Sequence, residues 1–198
     1  MNLPNKLTVL RIYLIPVMLI FMLPLPFEAF AGWNTFVSQY GMIIALLIFS
    51  VASYTDHLDG AIARKHNIVT NLGKFMDPIA DKLLVLAAFT ALVEIGRLSS
   101  WVPIIILFRE FSVTGIRLLA MEKGTVIAAS KQGKLKTVTQ NVSIILLMLE
   151  EIIRTWFPNI ALLPYISAIV TVSVLLAVAM TIISGVDYLL KNRGLLTE

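Results

Sequence analysis

Asp56-His57-Leu58-Asp59-Gly60-Ala61-Ile62-Ala63-Arg64, then eight residues, then Gly73, three residues, Asp77, three residues and Asp81: this stretch holds four of the chain's five aspartates within 26 residues. Asp56 and Asp59 are three apart, and Asp77 and Asp81 four apart, so on helices each pair shares a face. Gly73, Asp77 and Asp81 repeat every four residues, which predicts one continuous helix face through Pro78. The connection from Lys65 to Asn71 is short and polar, with Thr70 or Asn71 as a cap. A short connection makes the two helices antiparallel neighbours, so four carboxylates can converge on one point. Apolar runs lie before Asp56 and after Asp81.

The surroundings explain where such helices sit. Of 198 residues, 58% are hydrophobic and 14% charged, with mean hydropathy +0.88. Soluble domains carry about 25% charged residues, so this composition points to a bilayer. A spanning helix needs roughly 20 mostly apolar residues. Six segments qualify, near 8–26, 39–63, 72–95, 100–121, 136–157 and 162–190, and Pro16 falls inside the first. No repeat or long linker divides the chain, so residues 1–198 read as one all-α transmembrane domain. With no cysteine, thiolate metal sites, cysteine nucleophiles and disulfides are excluded.

Basic residues set the orientation. Of sixteen, thirteen (Lys6, Arg11, Arg64, Lys65, Lys74, Lys82, Arg117, Lys123, Lys131, Lys134, Lys136, Lys191 and Arg193) fall on one side. Arg97 and Arg154 fall on the other, and Arg109 lies within a span. Both termini are therefore expected in the cytoplasm. The net charge of +4 then reports loops facing anionic lipid rather than a nucleic-acid surface. Trp33, Trp101 and Trp156 adjoin the sparsely charged connections, as an outer interfacial belt requires. Ala29-Phe30-Ala31 after the first span mimics a signal-peptide cleavage site, but five further spans favour a retained helix.

Each ionised aspartate at mid-membrane costs at least ~2.5–3.5 kcal/mol, before mutual repulsion. Hard divalent cations such as Mg²⁺ or Mn²⁺ resolve that cost, and two of them can bridge a diphosphate. Two other readings fit the charges alone: pairing with Arg64, Lys65, Lys74 and Lys82 at a wet helix end, or a proton or cation pathway. Gly60, Ala63 and Gly73 present almost no side chain, which suits either a nucleotide lying on the helices or close helix packing. Arg64 can fork onto a phosphate.

The quoted stretch resembles the CDP-alcohol phosphotransferase family, whose signature is D-x2-D-G-x2-A-R-x8-G-x3-D-x3-D; every fixed residue and every gap matches. The resemblance implies that Asp56, Asp59 and Asp77 hold two divalent ions, with Asp81 a shared ligand and the catalytic base. It implies that Gly60, Ala63, Arg64, Thr70 and Gly73, with Asp56, line the CDP-lipid site. It also implies attack by an acceptor hydroxyl on the lipid-side phosphorus, with CMP leaving. Asn2-Leu3-Pro4-Asn5-Lys6-Leu7-Thr8 with Arg11 is similar to the amino end of bacterial members that use sn-glycerol 3-phosphate. That places Pro4, Asn5 and Thr8 near the nucleotide; read alone, Thr8 is equally a helix cap.

The acceptor is an anion and needs cations. Arg109 and Arg117 are eight apart, so they lie roughly on one helix face, and Lys134 follows in the next connection. Glu110 adjoins Arg109 but projects about 100° away, so Arg109 is expected to meet a bundle carboxylate or a phosphate instead. Phosphatidylglycerol or inositol phosphate remain alternative acceptors. A carboxylate-lined cation transporter is the alternative of another class, but it predicts an inverted repeat and broken helices, and the sequence has neither. His57 reads as an interfacial side chain rather than a ligand. The expected partners are CDP-diacylglycerol, glycerol 3-phosphate, membrane lipids and a second copy of the chain, without nucleic acid. The expected location is a bacterial cytoplasmic membrane, with the active site at its cytoplasmic face.

Overall fold

The computed structural model describes residues 3–66, 71–125, 127 and 131–195; the side chains of 3–4, 56–66, 71–75, 77–78, 131 and 195 lie outside the description. Every regular element among the described residues is helical. The long helices are α1 (Leu3–Met22), α3 (Met42–His66), α4 (Asn71–Glu94), α5 (Trp101–Glu122), α6 (Lys131–Trp156) and α7 (Leu163–Lys191), with a short α2 (Ala31–Phe36) after the first connection. Each long helix overlaps one of the six apolar segments. A π-helical turn at Val37–Gly41 joins α2 to α3, so the helical path there begins well before residue 39. Pro78 lies within α4, which runs continuously from Asn71, and Pro16 lies within α1.

By length and composition, three helical stretches of the described residues can cross a membrane: Asn5–Met22, Glu28–Thr55 and Leu163–Lys191. The outward surface of the other long helices is also apolar. On α5, Phe108, Phe111 and Leu118 are exposed while Glu110 is buried. On α6, Leu135, Val138 and Val142 are exposed while Lys136, Gln140 and Ser143 are buried. A soluble helix has the opposite pattern. Burying polar groups and exposing apolar ones is favourable where the surrounding solvent is hydrocarbon.

One core joins Ile15, Met18 and Met22 of α1 to Phe49 of α3, Phe89 of α4, Ile106 of α5, Met148 of α6 and Val170 of α7. Helix α1 lies against both α3 and α4, which touch each other only slightly among the described residues. Helix α6 packs on α7, and α5 also packs on α7. Gly41 permits the approach of the π-turn to α1, because a Cβ there would run into the Phe21 carbonyl oxygen and lie 2.9 Å from Val37 Cγ1. Polar contacts tie α6 and α7 internally: Gln140 Nε2 donates to Thr181 Oγ1 at 2.9 Å, and Ser143 Oγ donates to the Ser173 carbonyl at 2.8 Å.

The two ends of the bundle differ. One end carries aromatic rings in sequence, Phe21 on Trp33, Trp33 on Phe36, Phe36 on Tyr40 and Tyr40 on Trp156. There Arg97 pairs with Glu151, and Arg154 binds Glu150 and Ser167. The carboxyl end of α3 and the amino ends of α4 and α6 form the other end.

Candidate active site

The backbone places Asp56, Asp59, Gly60, Ala63 and Arg64 in the last three turns of α3, and Gly73 and Asp77 in the first two turns of α4. Their side chains lie outside the described residues, as does Thr70 altogether. Asp81 is described and half-buried. It lines a small cavity with Lys82, Glu110, Lys136, Thr137 and Gln140, contributed by α4, α5 and α6.

Glu110 is the hub of this cavity. Lys136 from α6 forms an ion pair with its Oε1, and Arg109 Nη1 bonds the same oxygen at 3.1 Å. Lys82 Nζ lies 3.6 Å from Oε2 and donates to Thr114 Oγ1 at 2.8 Å. The expected divergence of Arg109 from Glu110 is thus corrected. The two Cβ atoms do point apart, but the long arginine side chain swings its Nη1 back to the neighbouring carboxylate. Arg109 Nε is buried without a hydrogen-bond partner. Gly185 of α7 makes room for that side chain: a Cβ there would lie 3.0 Å from Arg109 Cγ.

Arg117 follows the same side of α5 two turns on. Its Nε donates to Tyr188 Oη at 3.4 Å, and its guanidinium carbon lies 5.8 Å from the Tyr188 ring centre. Both arginines therefore face α7, as their spacing of eight predicts. Lys134 is exposed at the amino end of α6. Lys136, two residues on, points inward and is buried. In the sequence, Lys136 reads as part of the cytoplasmic basic excess and Glu110 carries no role of its own. A polar residue every three to four positions on α6 (Lys136, Gln140, Ser143), against Leu135, Val138 and Val142, was the available signal.

On α1, Asn5, Thr8 and Arg11 are all buried and spaced by three, so they share one face. Arg11 Nε donates to the Ala52 carbonyl at 3.2 Å, and Thr55 Oγ1 donates to the same carbonyl at 2.8 Å. Ala52 lies one turn before Asp56, so this face of α1 grips α3 immediately ahead of the motif. Pro4 also lies in α1, with its side chain outside the description.

The motif and the bundle together meet an independent finding. The model of the CDP-alcohol phosphatidyltransferase family matches residues 1–183. The chain belongs to this family. A protein of Bacillus subtilis (strain 168) named CDP-diacylglycerol–glycerol-3-phosphate 3-phosphatidyltransferase is 42% identical over 200 residues, covering 96% of this chain and 95% of its own. A Mycobacterium tuberculosis (strain H37Rv) protein named probable phosphatidylglycerophosphate synthase is 37% identical over 190 residues, covering 96% of this chain and 81% of its own. A Rickettsia felis protein with the same name as the Bacillus one is 40% identical over 149 residues, covering 75% of each chain.

Membership in the CDP-alcohol phosphatidyltransferase family implies a divalent metal. The donor set fits one: the motif offers four carboxylates and no sulfur, an oxygen-only environment suited to a hard ion. Among the described residues no group of three or more His, Cys, Asp or Glu side chains converges; three of the four motif aspartates lie outside that set. An apolar groove of about 830 Å³ runs along α1 and α4, from Ile12 to Pro26 and from Leu83 to Glu94. Leu83, in its lining, is two residues after Asp81 on α4.

Proposed function

We propose that this protein transfers the phosphatidyl group of CDP-diacylglycerol to sn-glycerol 3-phosphate, forming phosphatidylglycerophosphate and CMP. The observation that carries this reading is the cavity at Asp81. It sets a motif carboxylate beside the buried Lys136 and the half-buried Lys82, at the bundle end where α3 and α4 carry the other motif aspartates. An anionic acceptor needs such cations beside the base, and a neutral acceptor does not. The names of the Bacillus and Rickettsia relatives support the same acceptor.

In this reading Asp56, Asp59, Asp77 and Asp81 hold two Mg²⁺ or Mn²⁺ ions, which when bound offset the charge of the diphosphate and of the oxygens entering and leaving phosphorus. Asp81 accepts the proton of the acceptor hydroxyl. The alkoxide oxygen attacks the lipid-side phosphorus, a new P–O bond forms, and the bond to the CMP phosphate breaks. Pro4, Asn5, Thr8, Gly60, Ala63, Arg64, Thr70 and Gly73 bind the cytidine nucleotide. The acceptor phosphate is bound by Arg109, Arg117 and Lys134, and the position of Lys136 and Lys82 in the Asp81 cavity adds those two. Acyl chains of the donor lie along the α1–α4 groove, whose lining is almost wholly apolar.

The chain acts as one domain over 1–198, with six spans, cytoplasmic termini and the Asp81 end at the cytoplasmic face of a bacterial inner membrane. It works as a homodimer, testable by its mass in lipid nanodiscs, where a monomer overturns that part. The activity itself is tested with purified protein, Mg²⁺, CDP-diacylglycerol and radiolabelled glycerol 3-phosphate. Label should enter the lipid phase with equimolar CMP release. Incorporation of inositol phosphate in place of glycerol phosphate would reassign the acceptor, and the absence of CMP release with any acceptor would overturn the reaction.

A further inference from the structure

Three cations and one carboxylate meet inside this bundle, and the carboxylate is not one of the motif aspartates. Glu110 comes from the inward face of α5, between the buried residues Ile106 and Val113. Its Oε1 takes Lys136 from α6 and Arg109 at 3.1 Å, and its Oε2 faces Lys82 from α4 at 3.6 Å. The side chains of Arg109, Glu110 and Lys136 are each about one-tenth exposed. Among the described side chains of this group, three cations (Lys82, Arg109 and Lys136) stand against two carboxylates (Glu110 and Asp81). A buried charge excess is unfavourable unless an anion completes it. A phosphate monoester arriving beside Asp81 supplies that anion.

Lysine is a flexible point charge with a rotatable stem. Glu110 fixes that stem for Lys136 by an ion pair and sits 3.6 Å from Lys82 Nζ, in the cavity that Asp81 also lines. We infer that Glu110 is a positioning residue: it holds Lys136 and Lys82 in one arrangement beside Asp81 and aims them at the acceptor phosphate. This inference rests on the reading of glycerol 3-phosphate as acceptor. Glu110 itself touches neither substrate nor the reacting atoms. It acts through the lysines, much as an outer ligand orients an inner one.

The sign of one kinetic constant separates this role from two others. If Glu110 merely repels the acceptor phosphate, removing its charge tightens acceptor binding. If it only ties three helices together, its loss lowers stability and affects both substrates alike. If it positions the lysines, its loss weakens the acceptor alone.

The experiment compares wild type, Glu110→Gln, Glu110→Asp, Lys136→Met and the Glu110→Gln/Lys136→Met double variant, each purified in detergent with Mg²⁺. Glycerol 3-phosphate is varied at saturating CDP-diacylglycerol, then the reverse, with thermal midpoints recorded alongside. Glu110→Gln should raise the KM for glycerol phosphate about tenfold or more, leave the KM for the lipid donor within about twofold, and be partly rescued by Glu110→Asp. The double variant should lose less than the sum of the two single losses, since Glu110 and Lys136 act as one unit and only the share of Glu110 that runs through Lys82 remains to be lost. A lower acceptor KM in Glu110→Gln, equal losses for both substrates, additive losses in the double variant, or unfolding of both Glu110 variants would each overturn the inference. A wild-type protein that releases CMP with another acceptor but not with glycerol phosphate overturns the proposed function and this inference together. A wild type active on glycerol phosphate with an unaltered Glu110→Gln overturns the inference alone.

Discussion

Lys134 and Lys136 are two residues apart and differ in everything that matters to an acceptor phosphate. Lys134 is exposed, whereas Lys136 is buried and paired with Glu110. On a helix, two positions correspond to about 200° of rotation, enough to turn one lysine to the outside and the other to the cavity. Lys136→Met should therefore raise the KM for glycerol phosphate well beyond the rise caused by Lys134→Gln. Kinetics with the lipid donor saturating checks this, and an equal rise in the two variants would contradict it. Asp81 makes a second residue-scale case. Asp81→Asn keeps the size of the side chain and removes its basicity. Turnover should fall about 10²–10⁴-fold from loss of the base, with lost metal coordination adding to it. Binding of a CDP-lipid analogue should be largely retained, because three motif aspartates remain. A turnover number near that of wild type would assign the base elsewhere.

At the scale of elements, the helices were legible because apolar length is a strong signal. The six segments of the sequence overlap the six long helices of the described residues. Continuity of α4 through Pro78 followed from the four-residue spacing of Gly73, Asp77 and Asp81. The amino-proximal junction was less legible. Residues 31–41 form α2 and a π-turn, and no local signal in Ala31–Gly41 announces a wide turn; its geometry is set by contact with α1. The cavity was half legible. The aspartates and Arg109 stand out as charges in apolar runs, but the convergence on Glu110 depends on how α4, α5 and α6 are turned toward each other. Periodicity gives a face for each helix but not the neighbour that face meets. Gly41 gives a test of the junction. Gly41→Val forces a branched side chain against the Phe21 carbonyl, where overpacking costs about 1–3 kcal/mol. The thermal midpoint in detergent should drop, whereas Gly32→Val, facing open space, should leave it nearly unchanged. Equal midpoints for the two variants would mean that the α1 contact at Gly41 does not hold the junction.

Across the whole molecule, the question is how many helices cross the bilayer. Among the described residues, α1, the α2–α3 stretch and α7 pass on apolar length and composition. Helices α4, α5 and α6 carry Lys82, Arg109, Glu110, Lys136, Glu150 and Arg154, but each of these is bonded inside the bundle. A lone charge at mid-membrane costs ~2.5–3.5 kcal/mol or more, whereas inward-facing, paired charges are the usual form in which membrane helices carry them. The outward residues of α5 and α6 are largely apolar, and the exposed charges Arg117 and Glu122 on α5 and Lys134 on α6 lie in the last two turns of α5 and the first turn of α6. Six crossings and three crossings therefore differ in one measurable place. If only three stretches cross, everything from the end of α3 to the start of α7 stays on one side, and Ser99 and Lys123 share it. If six cross, α5 runs between them and they lie on opposite sides. The chain has no cysteine, so Ser99→Cys and Lys123→Cys each introduce a single reactive thiol at an exposed connection. A membrane-impermeant maleimide applied to intact bacterial cells expressing each variant should label Ser99→Cys and spare Lys123→Cys until the membrane is permeabilised. That outcome also follows the basic residues, which leave Arg97 and Arg154 alone on the outer side. Labelling of both or of neither in intact cells would remove α5 from the spans and, with it, the paired charges as an intramembrane acceptor site.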